Sequence, residues 1–290
     1  MDQKPVPGHD ALVPPDAETA RRYLDEADAV AVRRDRAVDR RAIARLQILN
    51  AVVTAAFLVA SVIALRRSPD GGAQVLLFAF LVYGQILSGA AQRSGLQWRL
   101  TRGRWQVVVV GAVIMVAALV TFGVAVFAPE APWVMVVLPG ALVLAALGGY
   151  GAVQLARASN DPHRPAAPRT PLPRGARAGT VGVGAVFAAL LMLAAAPEGV
   201  LASVLLLLIA LCVLAWLCAG ATDLGLPALG ARWRWPHETG LAIAATALVA
   251  LTLFGRGGAE GEATAGVIVG CGVVLLFGGL SFVPGRDLRG

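Results

Sequence analysis

The residues of this chain that are able to do chemistry are few, and their positions limit what they can do. His9, His163 and His237 are its only histidines. They are far apart in sequence, and none has a second His, a Cys or a carboxylate at the spacing of a zinc pair. Cys212, Cys218 and Cys271 fall in apolar stretches without a CxxC, so they read as small apolar residues and not as redox centres. Asp70, Glu130, Glu198, Glu260 and Glu262 lie in turns at one end of the apolar blocks, and Asp161, Asp223, Glu238 and Asp287 lie in segments at the other. No carboxylate is therefore expected at membrane depth, where ion coupling or embedded hydrolysis would need one. His237-Glu238 beside Asp223 has the makings of a small polar site, although a solvated loop explains it as well. The expectation is a protein that is not an enzyme, with no catalytic, metal or cofactor-binding residues and no cofactor.

Two sets of residues remain. Asn50 and Gln85, with Thr54, Tyr83, Ser88, Tyr150 and Gln154, are uncharged polar residues inside apolar blocks. They either hydrogen bond between neighbouring helices, at roughly 0.6 kcal/mol each, or line a solute pathway, with Asn50 and Gln85 as its candidates. The other set is a motif that occurs twice, Arg102-x-Arg104-Trp105 and Arg232-x-Arg234-Trp235. A Trp that opens an apolar block sits at headgroup depth, and an Arg pair just outside it can meet lipid phosphate, helix carbonyl ends or an acidic partner. The plainer reading makes these arginines orientation signals only.

The elements that must hold these residues are apolar. The 290 residues are 57% hydrophobic and 15% charged, with a mean hydropathy of +0.70, against roughly 25% charged in a soluble domain. That excludes an ordinary soluble protein, and the continuous apolar runs exclude a β-barrel. Eight blocks are long enough to span a bilayer, at 46–65, 73–91, 105–128, 132–156, 178–196, 199–219, 239–255 and 263–283, the seventh being the weakest. The fold class expected is an all-α membrane protein of eight transmembrane helices. Of the 25 Lys and Arg residues, only Arg66, Arg67 and Arg256 fall in outer loops when the N-terminus is placed inside, a strong positive-inside signal with both termini cytoplasmic. Trp98, Trp105, Trp233 and Trp235 are then expected at the inner interface and Trp133 at the outer. Lys4 is the sole lysine, a composition that points to a GC-rich bacterial genome and a plasma membrane. The net charge of +7 and pI near 10.3 are assigned to loops facing anionic headgroups and not to nucleic acid.

Sliding the chain on itself by 130 residues superposes the first four blocks on the last four without a gap. The Arg-x-Arg-Trp motifs then coincide together with Gly95-Leu96 and Gly225-Leu226 upstream, as do Gly140 with Gly270, Gly148-Gly149 with Gly278-Gly279, and Phe57 with Phe187. Two tandem four-helix repeats are expected, parallel because each has an even number of spans. Small residues, Gly266-x-x-x-Gly270 with Gly272, Gly278 and Gly279, and Gly184-x-x-x-Ala188, offer faces for close helix approach. Pro139 beside Gly140 should kink the fourth span.

The organisation expected is a disordered tail (1–15), a charged amphipathic helix (16–45) capped by Asp16, repeat 1 (46–156), a linker (157–177), repeat 2 (178–283) and a tail (284–290). In the linker Pro162, Pro165, Pro168 and Pro171 recur at the period of polyproline II, which gives a stiff spacer or a proline-ligand site. The function expected is that of a membrane subunit, scaffold or accessory component. Its partners would be anionic lipid at the cytoplasmic face and a protein reading the cytoplasmic loops. A transporter for an apolar or uncharged solute, with its site between the repeats, is the alternative.

Overall fold

A computed structural model describes residues 16–67, 72–94, 105–128, 130–161, 168–196, 199–222, 225–254 and 260–286. It divides into two compact units, Met1–Asp39 and Arg40–Gly290.

The first unit holds α1 (Ala17–Ala37). Asp16 starts it as expected, its Oδ1 accepting the Thr19 N–H at 2.7 Å, which satisfies one of the free donors of the first turn. Arg22 pairs with Glu18 at 2.6 Å, one turn back, and not with Glu26 as its spacing also allowed. The helix ends at Ala37, short of the expected 45. Val38 and Asp39 interrupt it, and Arg40, Arg41 and Arg45 belong to the next helix, which begins directly after Asp39, a residue type that favours helix starts. The Thr19 N–H holds the Asp16 carboxyl below its ordinary value. Its contribution is therefore present above that ordinary value and lost as the pH falls through the lowered one. A peptide of residues 16–39 should lose helix by circular dichroism on acidification from neutral pH, and Asp16→Asn, which caps without titrating, should narrow that loss. An equal loss in both peptides would remove Asp16 from the cap.

The second unit is a helical bundle. It comprises α2 (Arg40–Arg67), α3 (Gly72–Arg93), α4 (Trp105–Phe127), α5 (Trp133–Val143), a π turn (Leu144–Gly148), α6 (Gly149–Arg157), α7 (Arg174–Ala195), α8 (Val200–Cys218), α9 (Leu226–Arg232), α10 (Trp235–Phe254) and α11 (Glu260–Leu280). α5 and α6 are one span whose irregularity lies at the π turn, one turn beyond Pro139. Among the described residues, seven helices are long and apolar enough to cross a membrane, and α8 carries a shorter apolar stretch, Ala202–Cys218. Large apolar side chains such as Val113, Val116, Leu119 and Val120 of α4 and Leu207, Leu208, Leu211 and Leu214 of α8 point outward. That much exposed apolar surface fits hydrocarbon surroundings and so a polytopic membrane protein.

Within the second half, α11 packs closely on α7. A Cβ on Gly184 would lie 2.5 Å from the Phe277 Cβ, and one on Gly266 would lie 2.5 Å from the Ala195 Cβ. Glycine is what admits this approach. Gly272, Gly278 and Gly279 have open space instead, so only part of the expected smooth face of α11 is used. The largest core crosses the boundary between the halves: Val75, Leu76, Val82 and Ile86 of α3 join Phe187, Leu190 and Leu191 of α7, Leu226 and Leu229 of α9 and Phe277 of α11. A small cluster of Val62, Ala125 and Val136 holds α2, α4 and α5 together.

Arginines tie the helix ends. Arg66 donates from Nε to the Ala125 carbonyl at 2.7 Å and from Nη2 to Ala128 and Ala131 at 3.4 Å, serving a carbonyl in the last turn of α4 and two in the turn that follows it. At the other end of α2, Arg41 donates from Nε to Ala158 at 2.7 Å and from Nη2 to Ser159. A planar fork can serve two carbonyls at once, and an ammonium on a flexible stem does so poorly. Composition alone reads this abundance of Arg as coding bias, but here the guanidinium geometry is used.

Candidate functional site

α9 is the element that brings the polar residues together. Residues 220–238 were expected to form an inner loop; instead Gly225 to His237 fold back into the bundle, with Leu226, Leu229, Trp233 and His237 buried. α9 lies so close on α3 that a Cβ on Gly89 would fall 1.8 Å from the Pro227 carbonyl oxygen, and one on Gly230 would fall 2.0 Å from that of Ile86. Trp233, expected in the interfacial belt, is at 0% exposure. Its indole N–H donates to Thr180 Oγ1 at 3.1 Å, and its ring stacks on His237 and tilts against Phe277. A buried indole needs an acceptor, and Thr180 supplies it. His237 is not a solvated loop residue either: its Nδ1 accepts the Arg234 N–H at 3.4 Å at the start of α10.

Arg93, at the end of α3, closes this seam. It donates from Nη1 to the Trp233 carbonyl at 2.6 Å, and its Nη2 lies 3.8 Å from Glu238 Oε1. At the opposite end of the bundle the Arg67 guanidinium donates to the Leu253 carbonyl of α10. Between these two ties, Leu46, Leu49, Tyr83, Ile86, Leu241 and Glu238 line a cavity of about 70 Å³, with the Tyr83 hydroxyl buried and without a hydrogen-bond partner among the described residues. Asn50 and Gln85 are half-buried on α2 and α3 and neither lines this cavity. Thr54 Oγ1 lies 3.5 Å from Asn50 Oδ1, one turn along the same helix.

Of the two Arg-x-Arg-Trp motifs, Arg102 and Arg104 lie outside the described residues. Trp105 and Trp235 each begin a helix, α4 and α10, and both are well exposed. Arg234 and Trp235 line a second cavity, of about 200 Å³, together with Arg169 from the linker and Val283 and Pro284 from the tail. Arg232 lies in the last turn of α9. The linker is more than a spacer here, because Arg169 and Thr170 pair as an antiparallel strand (β1) with Gly285 and Arg286 (β2). Sequence reasoning singled out Tyr83 and Glu238 but missed Arg93, and with it the tie from Arg93 to the Trp233 carbonyl and Glu238. The one available signal was Gly230 after Pro227, glycine being what a tight helix approach requires. No group of His, Cys, Asp and Glu suited to a metal occurs among the described residues. Set against family models, curated proteins and solved structures, the chain has no match.

Proposed function

We propose that this is an eight-span protein of the plasma membrane, built from two fused four-span units with both termini cytoplasmic. It works without catalysis as a membrane subunit, scaffold or accessory component whose protein partner contacts the cytoplasmic loops. The observation that carries this reading is the seam between the halves. Alternating access needs the halves to part at each end in turn around a site, yet here Arg93 and Arg67 tie both ends and α9 of the second half is locked on α3 of the first. The cavity left between them, about 70 Å³, is well below the roughly 300–1,000 Å³ of a ligand pocket.

Duplication is supported by Gly140 and Gly270, which are 130 residues apart. Each faces a carbonyl of the first helix of its own half, with Cβ positions 2.8 Å from the Ala55 oxygen and 3.2 Å from that of Ala188. α8 serves as the sixth of the eight spans, with its exposed leucines toward lipid. The positive-inside count supports this orientation.

Spin labels test the seam. With Cys212, Cys218 and Cys271 replaced by Ala, label pairs at Gln92 and Thr239 near one end and at Leu77 and Phe254 near the other should each give a single narrow distance in liposomes. Two populations at each end, with the ends moving in opposite senses, would return the protein to the transporter class.

A further inference from the structure

We propose that the cavity at the linker end of the second half is a phosphate-binding pocket, filled in the membrane by the headgroup of an anionic lipid. This rests on the helices spanning a bilayer, and not on whether the protein is a scaffold or a transporter.

Three segments far apart in sequence build the pocket: Arg169 from the linker, Arg234, Trp235 and Pro236 from the start of α10, and Val283 and Pro284 after α11. Its wall is fixed. The β1–β2 pair sets Arg286 opposite Arg169. Gly285 is wedged between Leu172 and the Arg232 backbone, where a Cβ would lie 2.5 Å from Leu172 Cδ2 and 2.8 Å from the Arg232 oxygen. The pocket's charge is not neutralised from within, since none of Arg169, Arg234 and Arg286 is in an ion pair among the described residues. Glu238, the carboxylate in the first turn of α10, is taken up by Arg93 at 3.8 Å. Guanidinium forks match phosphate oxygens two at a time.

The apolar half of the lining separates a lipid from a soluble phosphate. Trp235 is 70% exposed at the first residue of a span, the depth that indoles favour at a bilayer interface. Pro236, Val283 and Pro284 place apolar surface beside the arginines, where the glycerol and first methylenes of a lipid would lie. The first half cannot build a copy. Shifted by 130 residues, Arg169 corresponds to Asp39, Pro284 to Gln154 and Arg286 to Ala156, a carboxylate and two neutral residues. One lipid per chain is therefore expected, not two.

The test uses the full chain in mixed micelles, with lipid retention read by native mass spectrometry. Phosphatidylglycerol should be retained at one per chain in preference to phosphatidylcholine. Each of Arg169→Gln and Arg234→Gln should weaken retention about fivefold, whereas Arg174→Gln, at the same end but outside the lining, should not. The Lys pair, Arg169→Lys with Arg234→Lys, keeps the charge and serves as the folded control. Intermediate weakening is expected from it, and undiminished retention would overturn recognition by guanidinium geometry. Retention unchanged in a correctly melting Arg169→Gln/Arg234→Gln chain would overturn the pocket itself. Displacement of the lipid by millimolar inorganic phosphate would reassign the site to a soluble phosphate and overturn the lipid. None of these outcomes depends on whether the seam moves, so a failure here is distinct from a failure of the scaffold reading.

Discussion

A single methyl group at Gly230 should loosen the two halves of the bundle from each other. The Cβ of Gly230→Ala would lie 2.0 Å from the Ile86 carbonyl oxygen and 2.8 Å from its carbon, and both are backbone atoms of a membrane-length helix that cannot rotate away. Gly89→Ala strikes the same contact from the other side, 1.8 Å from the Pro227 oxygen. Alanine improves helix propensity by about 1 kcal/mol, but overpacking of this kind costs roughly 1–3 kcal/mol, and contact with backbone leaves little room for relief. The net expectation is a lower melting temperature for either variant, with the double variant less than additive because both act on one interface. Gly84→Ala, in the same helix with nothing within 4 Å, should melt at or slightly above the parent. Melting in detergent ranks the four variants against the parent, and a Gly230→Ala chain that melts with the parent would show that α9 is not held against α3.

Arg93→Met should be the most damaging change of charge. The side chain is 13% exposed, against 34% for its partner Glu238. Removing it strands the Trp233 carbonyl, 2.6 Å away, beside a carboxylate that is still partly in solvent. Hydrogen bonds from charged donors are worth about 1.5–3 kcal/mol, and at 3.8 Å in a half-solvated setting the ion pair adds little. The expected ordering is therefore a loss of about 2 kcal/mol for Arg93→Met, a smaller one for Arg93→Lys, which keeps one donor, and well under 1 kcal/mol for Glu238→Gln. Denaturation in mixed micelles measures all three. If Glu238→Gln cost as much as Arg93→Met, the carboxylate and not the carbonyl would be what Arg93 serves.

The long helices were legible because apolar runs of membrane length have no other reading, and Asp16 because a carboxylate before a polar helix meets a fixed local need. α9 was not. Seven residues containing Pro227 and Gly230 read as a turn by any local rule, and what makes them a buried helix is the glycine at position 89. Trp233 carried a misleading signal, since an indole next to arginines resembles an interfacial anchor until Thr180 and Phe277 are folded around it. Arg93 likewise looked like one more positive charge beside a span, because the carbonyl it serves belongs to a residue 140 positions away. The repeat did point to Arg234 and Trp235, which the fold joins to Arg169 and the Val283-Pro284 corner. That joining depends on the β1–β2 pairing, and a two-residue strand has no sequence pattern of its own.

The grip of α9 on α3 also sets a timetable for biogenesis. Gly89 leaves the ribosome 141 residues ahead of Gly230, a delay on the order of ten seconds at roughly 5–20 residues per second. Throughout that interval α3 is without the helix it packs on most extensively, and in the topology proposed above lipid tails would cover that face. Docking of α9 on α3 has to wait until residues 226–233 have been made. The half synthesised first thus waits on a segment of the second, and a truncation upstream of Leu226 would leave the Gly89 face of α3 without α9.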